Sequence, residues 1–178
     1  MKEVFQEGQG EWIDKKSRFI GRLICVKSED EVNHYFDCIR KEHYNARHHC
    51  YAYILGDQGQ IKRFSDDKEP SGTAGKPILE ALERAQLSNA LLVVIRYFGG
   101  VLLGTGRLFH AYQNGARIAI ENSVLVERLQ GYLCEIKTDY GLLGKIQYLL
   151  KEAEIEILSS QFVENVILEV ALLPEQEE

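Results

Sequence analysis

The chain has no run of about 18 apolar residues, the length needed to cross a bilayer. Its opening, MKEVFQEGQGEW, lacks both the basic start and the apolar core of a secretory leader, so the sequence predicts a cytoplasmic protein with no membrane contact. Cysteine is sparse. Cys25, Cys38, Cys50 and Cys134 lie far apart with no CxxC pair, which argues against a disulfide framework or a zinc knuckle and predicts reduced thiols. No internal repeat, low-complexity tract or Pro/Gly/Ser-rich linker interrupts the 178 residues. Basic residues are scarce only toward the end. Residues 1–128 hold 18 Lys and Arg against 17 Asp and Glu, while residues 129–178 hold 3 against 10. The net charge of −6 therefore belongs to the last segment, and the first part is free to present a basic face.

The familiar catalytic signatures are missing as well. GxSxG does not occur, and no Ser or Cys sits in a recognisable nucleophile context. SGTAGKP fails as a Walker A loop, because Pro70 and Pro77 occupy positions that motif gives to glycine and Ser/Thr. GTGRLF begins like a dinucleotide fingerprint but places Phe109 at its last glycine. No catalytic residue, cofactor or metal is assigned on these grounds.

What the sequence does contain is organised around LLVVIRYFGGVLLGTGRLFHAY, Leu91 to Tyr112. Leu91 to Ile95 reads as a strand buried on both faces, which delivers the chain to Gly99, Gly100, Gly104 and Gly106 before a helical period starts near Leu108. A glycine-rich turn at a helix start leaves backbone N–H groups outward-facing and carries positive partial charge, a natural anion site. SDDKEPSGTAGKP forms a second such turn, with Ser71, Gly72, Thr73, Gly75 and Lys76 ahead of a helix at Pro77. Tight turns need glycine for their own dihedrals too, so structural and anion-binding readings stand side by side. If the two turns share an edge, they form one cleft carrying Lys76, Arg96 and Arg107.

Other elements follow from period and turn chemistry. Glu11 to Asp14 and Arg18 to Val26 read as strands, and Ser28 with Glu31 as a capping box opening a helix to about Glu42. Cys50 to Leu55 and Gln60 to Phe64 form a hairpin around Gly56 to Gly59. The first part is then β-β-α-β-β-α-β-α, an α/β sandwich with helices on one side of a mixed sheet. Beyond about Val126 comes β-α-β-β, two thirds of a ferredoxin-like unit: strands Gly131 to Thr138, Glu154 to Val163 and Val166 to Leu172, with a helix from Leu142 to Glu152. The missing helix and strand predict a shortened second domain. Its apolar last strands are expected to pack on the first domain or, through a homodimer, on a second copy.

Among side chains, His43, His48, His49 and Cys50 form the one cluster resembling metal ligands, against the plainer reading of a hydrogen-bonded strand histidine. Asp66, Asp67 and Glu69 suit acid, base or magnesium chemistry, or a solvated loop. Arg96-Tyr97-Phe98 and Arg107 with Tyr112 offer stacking surfaces beside phosphate donors, while alternation turns Tyr97 and Phe98 to opposite faces, so at least one caps the core.

RFSDDKEPSGTAGKPILEAL, VVIRYFGGVLLGTGRL and NARHHCYAY together resemble the IMPACT/YigZ family over roughly Ser17 to Asn122. The resemblance implies an α+β, two-domain protein. Residues 1–127 would be an IMPACT-type domain like the second domain of the fifth small-subunit ribosomal protein and domain IV of elongation factor G. Residues 128–178 would be an incomplete ferredoxin-like domain similar to domain V of that factor. The family pattern falls on His48, Cys50, Asp66, Glu69, Pro70, Ser71, Gly72, Thr73, Gly75, Pro77, Arg96, Tyr97, Phe98, Gly99, Gly100, Gly104 and Tyr112. His49 stands in place of the usual asparagine, Arg107 where glycine is frequent, and His110 where arginine is frequent. The implied function is a translation-linked accessory protein that binds RNA or the ribosome through the cleft of the two glycine-rich loops. The phosphate-contacting set would be His48, Asp66, Ser71, Gly72, Thr73, Gly75, Lys76, Arg96, Gly99, Gly100, Gly104 and Arg107. The alternatives are an enzyme acting on a phosphorylated small molecule and a protein-interaction module.

Overall fold

The computed structural model describes residues 1–128 and 131–176, in two compact units, Met1–Arg128 and Leu129–Glu178. In the first, β1 (Lys2–Gln6), β2 (Gly8–Asp14) and β3 (Ser17–Cys25) precede α1 (Glu29–Glu42). Then come β4 (His48–Leu55), β5 (Ile61–Ser65), α2 (Gly75–Arg84), β6 (Ala90–Tyr97), α3 (Thr105–Glu121) and β7 (Val124–Glu127). The main sheet has the order β2-β3-β6-β4-β5, and every neighbouring pair is antiparallel. The mixed sheet expected from the sequence is thus corrected. β3 and β4 both run against β6, so they are parallel to each other with β6 inserted between them, and α1 makes a split crossover.

The expectation of helices on one side is also overturned. Leu91, Val93 and Ile95 point to a core with Val32 and Ile39 of α1, while Leu92 and Val94 point to Ile78 and Leu82 of α2 and Leu108 and Ala116 of α3. All five β6 residues are fully buried. An unbroken apolar run is stable only when both faces are covered, each Leu or Ile contributing about 2 kcal/mol on burial. α1 starts as its sequence predicts: the Ser28 hydroxyl accepts the Glu31 amide at 3.2 Å, and the Glu31 carboxylate accepts the Lys27 amide at 2.8 Å. β1 pairs with β7 in a separate two-stranded ribbon that periodicity did not reveal.

The second unit holds β8 (Tyr132–Thr138), α4 (Leu143–Glu152), β9 (Glu156–Phe162) and β10 (Val166–Leu172), in the antiparallel order β8-β10-β9. Val166, Leu168 and Val170 are fully buried, clustered with Leu150 of α4. These residues therefore do not need the first domain or a second copy to cover them, which removes that ground for a homodimer.

α3 lies close against β2 and β3 because glycines face it. A Cβ on Gly21 would sit 2.2 Å from the Gly115 carbonyl oxygen and 3.0 Å from the Ala119 Cβ. Backbone cannot yield as a side chain does, so Gly21→Ala is expected to destabilise the first unit by about 2 kcal/mol or more. Denaturant unfolding of the variant measures this; an unchanged midpoint would show that α3 can lift without cost.

Candidate functional site

Three neighbouring strands place Phe19, Arg96 and His48 side by side, as register partners across β3, β6 and β4. Side-chain alternation sends Arg96 to the same face as Leu92 and Val94, beneath α3, where it is 5% exposed. A guanidinium buried there requires an anionic partner. Glu69 supplies it: its Oε1 accepts from Arg96 Nη1 at 2.6 Å and from the Tyr112 hydroxyl of α3 at 2.7 Å. The two charged side chains are 7% and 4% exposed. Arg96 Nε remains buried without a hydrogen-bond partner among the described residues.

Below this pair the Cys50 thiol donates to the Asp66 carbonyl at 3.1 Å and lies 3.4 Å from the Tyr112 oxygen. Burial pushes both the Cys50 thiol and the Tyr112 phenol well above their ordinary values, so both stay protonated at neutral pH. Cys50 is a packed hydrogen-bonding residue and not a thiolate. His48 Nδ1 donates to the Asp67 carbonyl at 2.8 Å, with its Nε2 3.7 Å from Glu69. The other members of the histidine cluster disperse: His43 Nδ1 meets the Tyr97 hydroxyl at 2.8 Å and His49 Nε2 donates to the His43 carbonyl at 3.1 Å. Among the described residues no group of three or more His, Cys, Asp or Glu is placed to hold a metal.

The two glycine-rich turns meet different fates. In the first, Asp66 accepts the amides of Gly72 at 2.8 Å, Ala74 at 2.9 Å and Gly75 at 2.8 Å. The chain's own carboxylate thus occupies the start of α2, correcting the expectation that these amides await an external anion. Thr73 bonds the Pro70 carbonyl through its hydroxyl at 2.6 Å, and Ser71 is exposed. Gly75 serves a close approach, since a Cβ there would lie 2.8 Å from the Ser65 backbone. Lys76 is exposed and does not line the cleft.

In the second turn, Gly99 donates to Ser17 Oγ at 3.1 Å, and its added Cβ would meet the Lys16 backbone at 2.1 Å, so it too is structural. Gly100 and Gly104 take the left-handed region, with φ of 85° and 75°. Gly104 caps α3, which begins at Thr105, three residues before the apolar period. No side chain caps this end, and the first intrahelical bond runs from the Leu108 amide to the Gly104 carbonyl. The amides of Thr105, Gly106 and Arg107 have no partner among the described residues. Arg107 does not join them at an anion: its guanidinium forks onto Asp14, with Nε 2.7 Å and Nη2 2.6 Å from the carboxylate, and holds that carboxyl below the usual range.

A cavity of about 370 Å³ lies between the turns, bounded by Arg47, His48, Lys68, Arg96, Phe98 and Thr105 among others. Arg47 and Arg96 stand over the Phe98 ring at 5.2 and 5.7 Å from its centre. Phe98 is 38% exposed, whereas Tyr97 packs in the α1-side core, as alternation predicts. Of the expected set, the structure brings His48, Arg96 and Gly104 to this cavity, and leaves Lys76 and Arg107 out. Sequence reasoning missed Arg47 and Lys68; the one available signal was that Arg47 directly precedes the His48 strand and Lys68 sits within the Asp-rich loop.

Burial pushes His49 below its ordinary value of about 6.5, against the smaller opposing pull of its His43 carbonyl bond. The unfolded chain then takes up a proton near pH 6.5 that the folded chain refuses. His49 accordingly leaves stability untouched above that pH and lowers it as the pH falls toward the folded value. His49→Asn is expected to flatten the fall in melting temperature between neutral pH and about pH 5. An identical slope in the variant would exclude His49 as its source.

Comparison with known proteins gives two matches to family models. The Impact N-terminal domain model covers residues 15–120, and a domain of unknown function, DUF1949, covers residues 136–178. An IMPACT family member of Haemophilus influenzae is 46% identical over 160 residues, 86% of this chain and 76% of that protein. YvyE of Bacillus subtilis is 39% identical, covering 93% and 76%, and YigZ of Escherichia coli is 38% identical, covering 89% and 78%. A solved crystal structure of a hypothetical protein superposes with a TM-score of 0.69 at 34% identity, over 99% of this chain and 86% of its own.

Proposed function

The chain belongs to the IMPACT family, and from that premise we propose that it is a cytoplasmic, translation-linked accessory protein that holds RNA phosphates in the cleft between its two glycine-rich turns. The translation-linked part rests on what the family resemblance implies, a first domain like the ribosomal-protein and elongation-factor domains named above. The observation that carries the phosphate reading is the uncapped start of α3. Of that start, Gly104 and Thr105 line the cleft, beside the exposed cations Arg47 and Lys68 and the buried Arg96–Glu69 ion pair. In a chain of net charge −6 this concentration of cations is local, and it suits a polyanion held by charge and helix dipole together. The Phe98 ring adds an apolar plane on which a base stacks. The enzyme alternative, with Asp66 or His48 as acid or base, has less support, because the Asp66 carboxylate is taken up by three amides of its own loop and His48 Nδ1 by the Asp67 carbonyl.

Arg47 and Lys68 are exposed and form no ion pair among the described residues, so reversing them spares the fold. Arg47→Glu with Lys68→Glu is expected to weaken RNA binding at least tenfold and to reduce the slope of log affinity against log salt by about 1.4. Lys76→Glu, outside the cleft, should bind as the native chain does. Filter binding over a salt series checks this. Native-like binding by the double variant, or no RNA binding by the native chain, contradicts the proposal. A thermal shift with nucleotides or sugar phosphates and none with RNA would instead favour the enzyme.

A further inference from the structure

Arg47 and Lys68 belong to two cavities at once. Besides the cleft at α3 they line a second one of about 450 Å³, where α1 ends and β4 begins, together with Arg40, Lys41 and Tyr44. Asp37, Asp67 and His49 are also on its wall, and Asp67 is already engaged by the His49 amide at 2.7 Å. Most arginines of the chain hold a carboxylate: Arg18, Arg22, Arg96, Arg107, Arg117 and Arg128 each do. Arg40, Lys41, Arg47 and Lys68 do not, among the described residues. Arg40 and Lys41 complement the C-terminal end of α1, which explains two of the four. It explains neither Arg47 and Lys68 nor the aromatic beside them. Tyr44 is 82% exposed and makes no aromatic or cation contact among the described residues.

The arrangement therefore continues past the cleft: a ring at Phe98, cations at Arg47 and Lys68, further cations at Arg40 and Lys41, and a second ring at Tyr44. We infer that this is one track for single-stranded RNA, with phosphates along the cations and bases stacked on the two rings. The inference rests on the RNA reading above and adds to it strandedness, path and length. A duplex keeps its bases stacked on one another and meets a protein through its backbone, which would leave Tyr44 without a role. A single strand offers unpaired bases to exposed rings, whatever their sequence.

The test compares affinity for a dinucleotide with that for an oligouridylate of about ten nucleotides, within the usual span of a single-strand groove. The native chain should gain affinity on lengthening. Tyr44→Ala should lower affinity for the longer strand roughly tenfold, and Arg40→Ala with Lys41→Ala should reduce its salt slope by about 1.4. All three positions are exposed, and circular dichroism is the check that each variant folds. If these variants bind the longer strand as the native chain does while the Arg47/Lys68 double variant loses it, the track is wrong and the cleft reading stands. Tighter binding of a duplex than of a single strand of equal length also overturns the track. If no oligonucleotide of either kind binds the native chain, both readings fall.

Discussion

The site depends on the buried ion pair of Glu69 and Arg96. Each charge would cost several kcal/mol to bury alone, and the pair is tolerated because the carboxylate also takes the Tyr112 hydroxyl while the guanidinium stands over the rings of Phe19 and Phe98. Its consequence is geometric. Glu69 belongs to the first glycine-rich loop, Arg96 to the central strand and Tyr112 to α3, so one carboxylate fixes three elements relative to one another. The separation of the two turns, and hence the cleft, follows from that knot. Removing either partner would strand a charge in the core, which costs about 3–5 kcal/mol, so neither residue is a clean probe of binding.

Two helix starts of similar composition then do different jobs. Every helix begins with amides that its own backbone cannot satisfy. At α2 Asp66 satisfies three of the turn's amides, so the first loop is closed on itself and serves as scaffold. At α3 the capping residue is Gly104, which has no side chain to offer, and Arg107 turns away to Asp14. That end is left open beside Arg96. The composition of the two loops does not distinguish them; the partner of the amides does.

What the sequence made legible was local. The apolar run Leu91 to Ile95, the Ser28 cap and the hairpin around Gly56 each announce an element through period or turn chemistry, and each element forms. The order of strands was not legible. Inserting β6 between β3 and β4 makes the sheet antiparallel and puts α1 on the opposite face from α2 and α3, a choice made by pairing across dozens of residues. The candidate site divided in the same way. Arg96 and His48 were readable from motif context, but Arg107 is neutralised by a carboxylate 93 residues away, and the amides of Gly72 and Gly75 by one in their own loop. Arg47 and Lys68 carry no pattern of their own; only folding places them, exposed and in no ion pair among the described residues, beside the cleft.

The central claim is that α3, and not α2, presents the free amides that meet phosphate. Backbone amide chemical shifts in an NMR titration with inorganic phosphate or a short oligouridylate address it residue by residue. The account predicts movement at Thr105, Gly106 and Arg107, with the amides of Gly72, Ala74 and Gly75 held still by Asp66. Movement at Gly72 to Gly75 with a silent α3 start would contradict it.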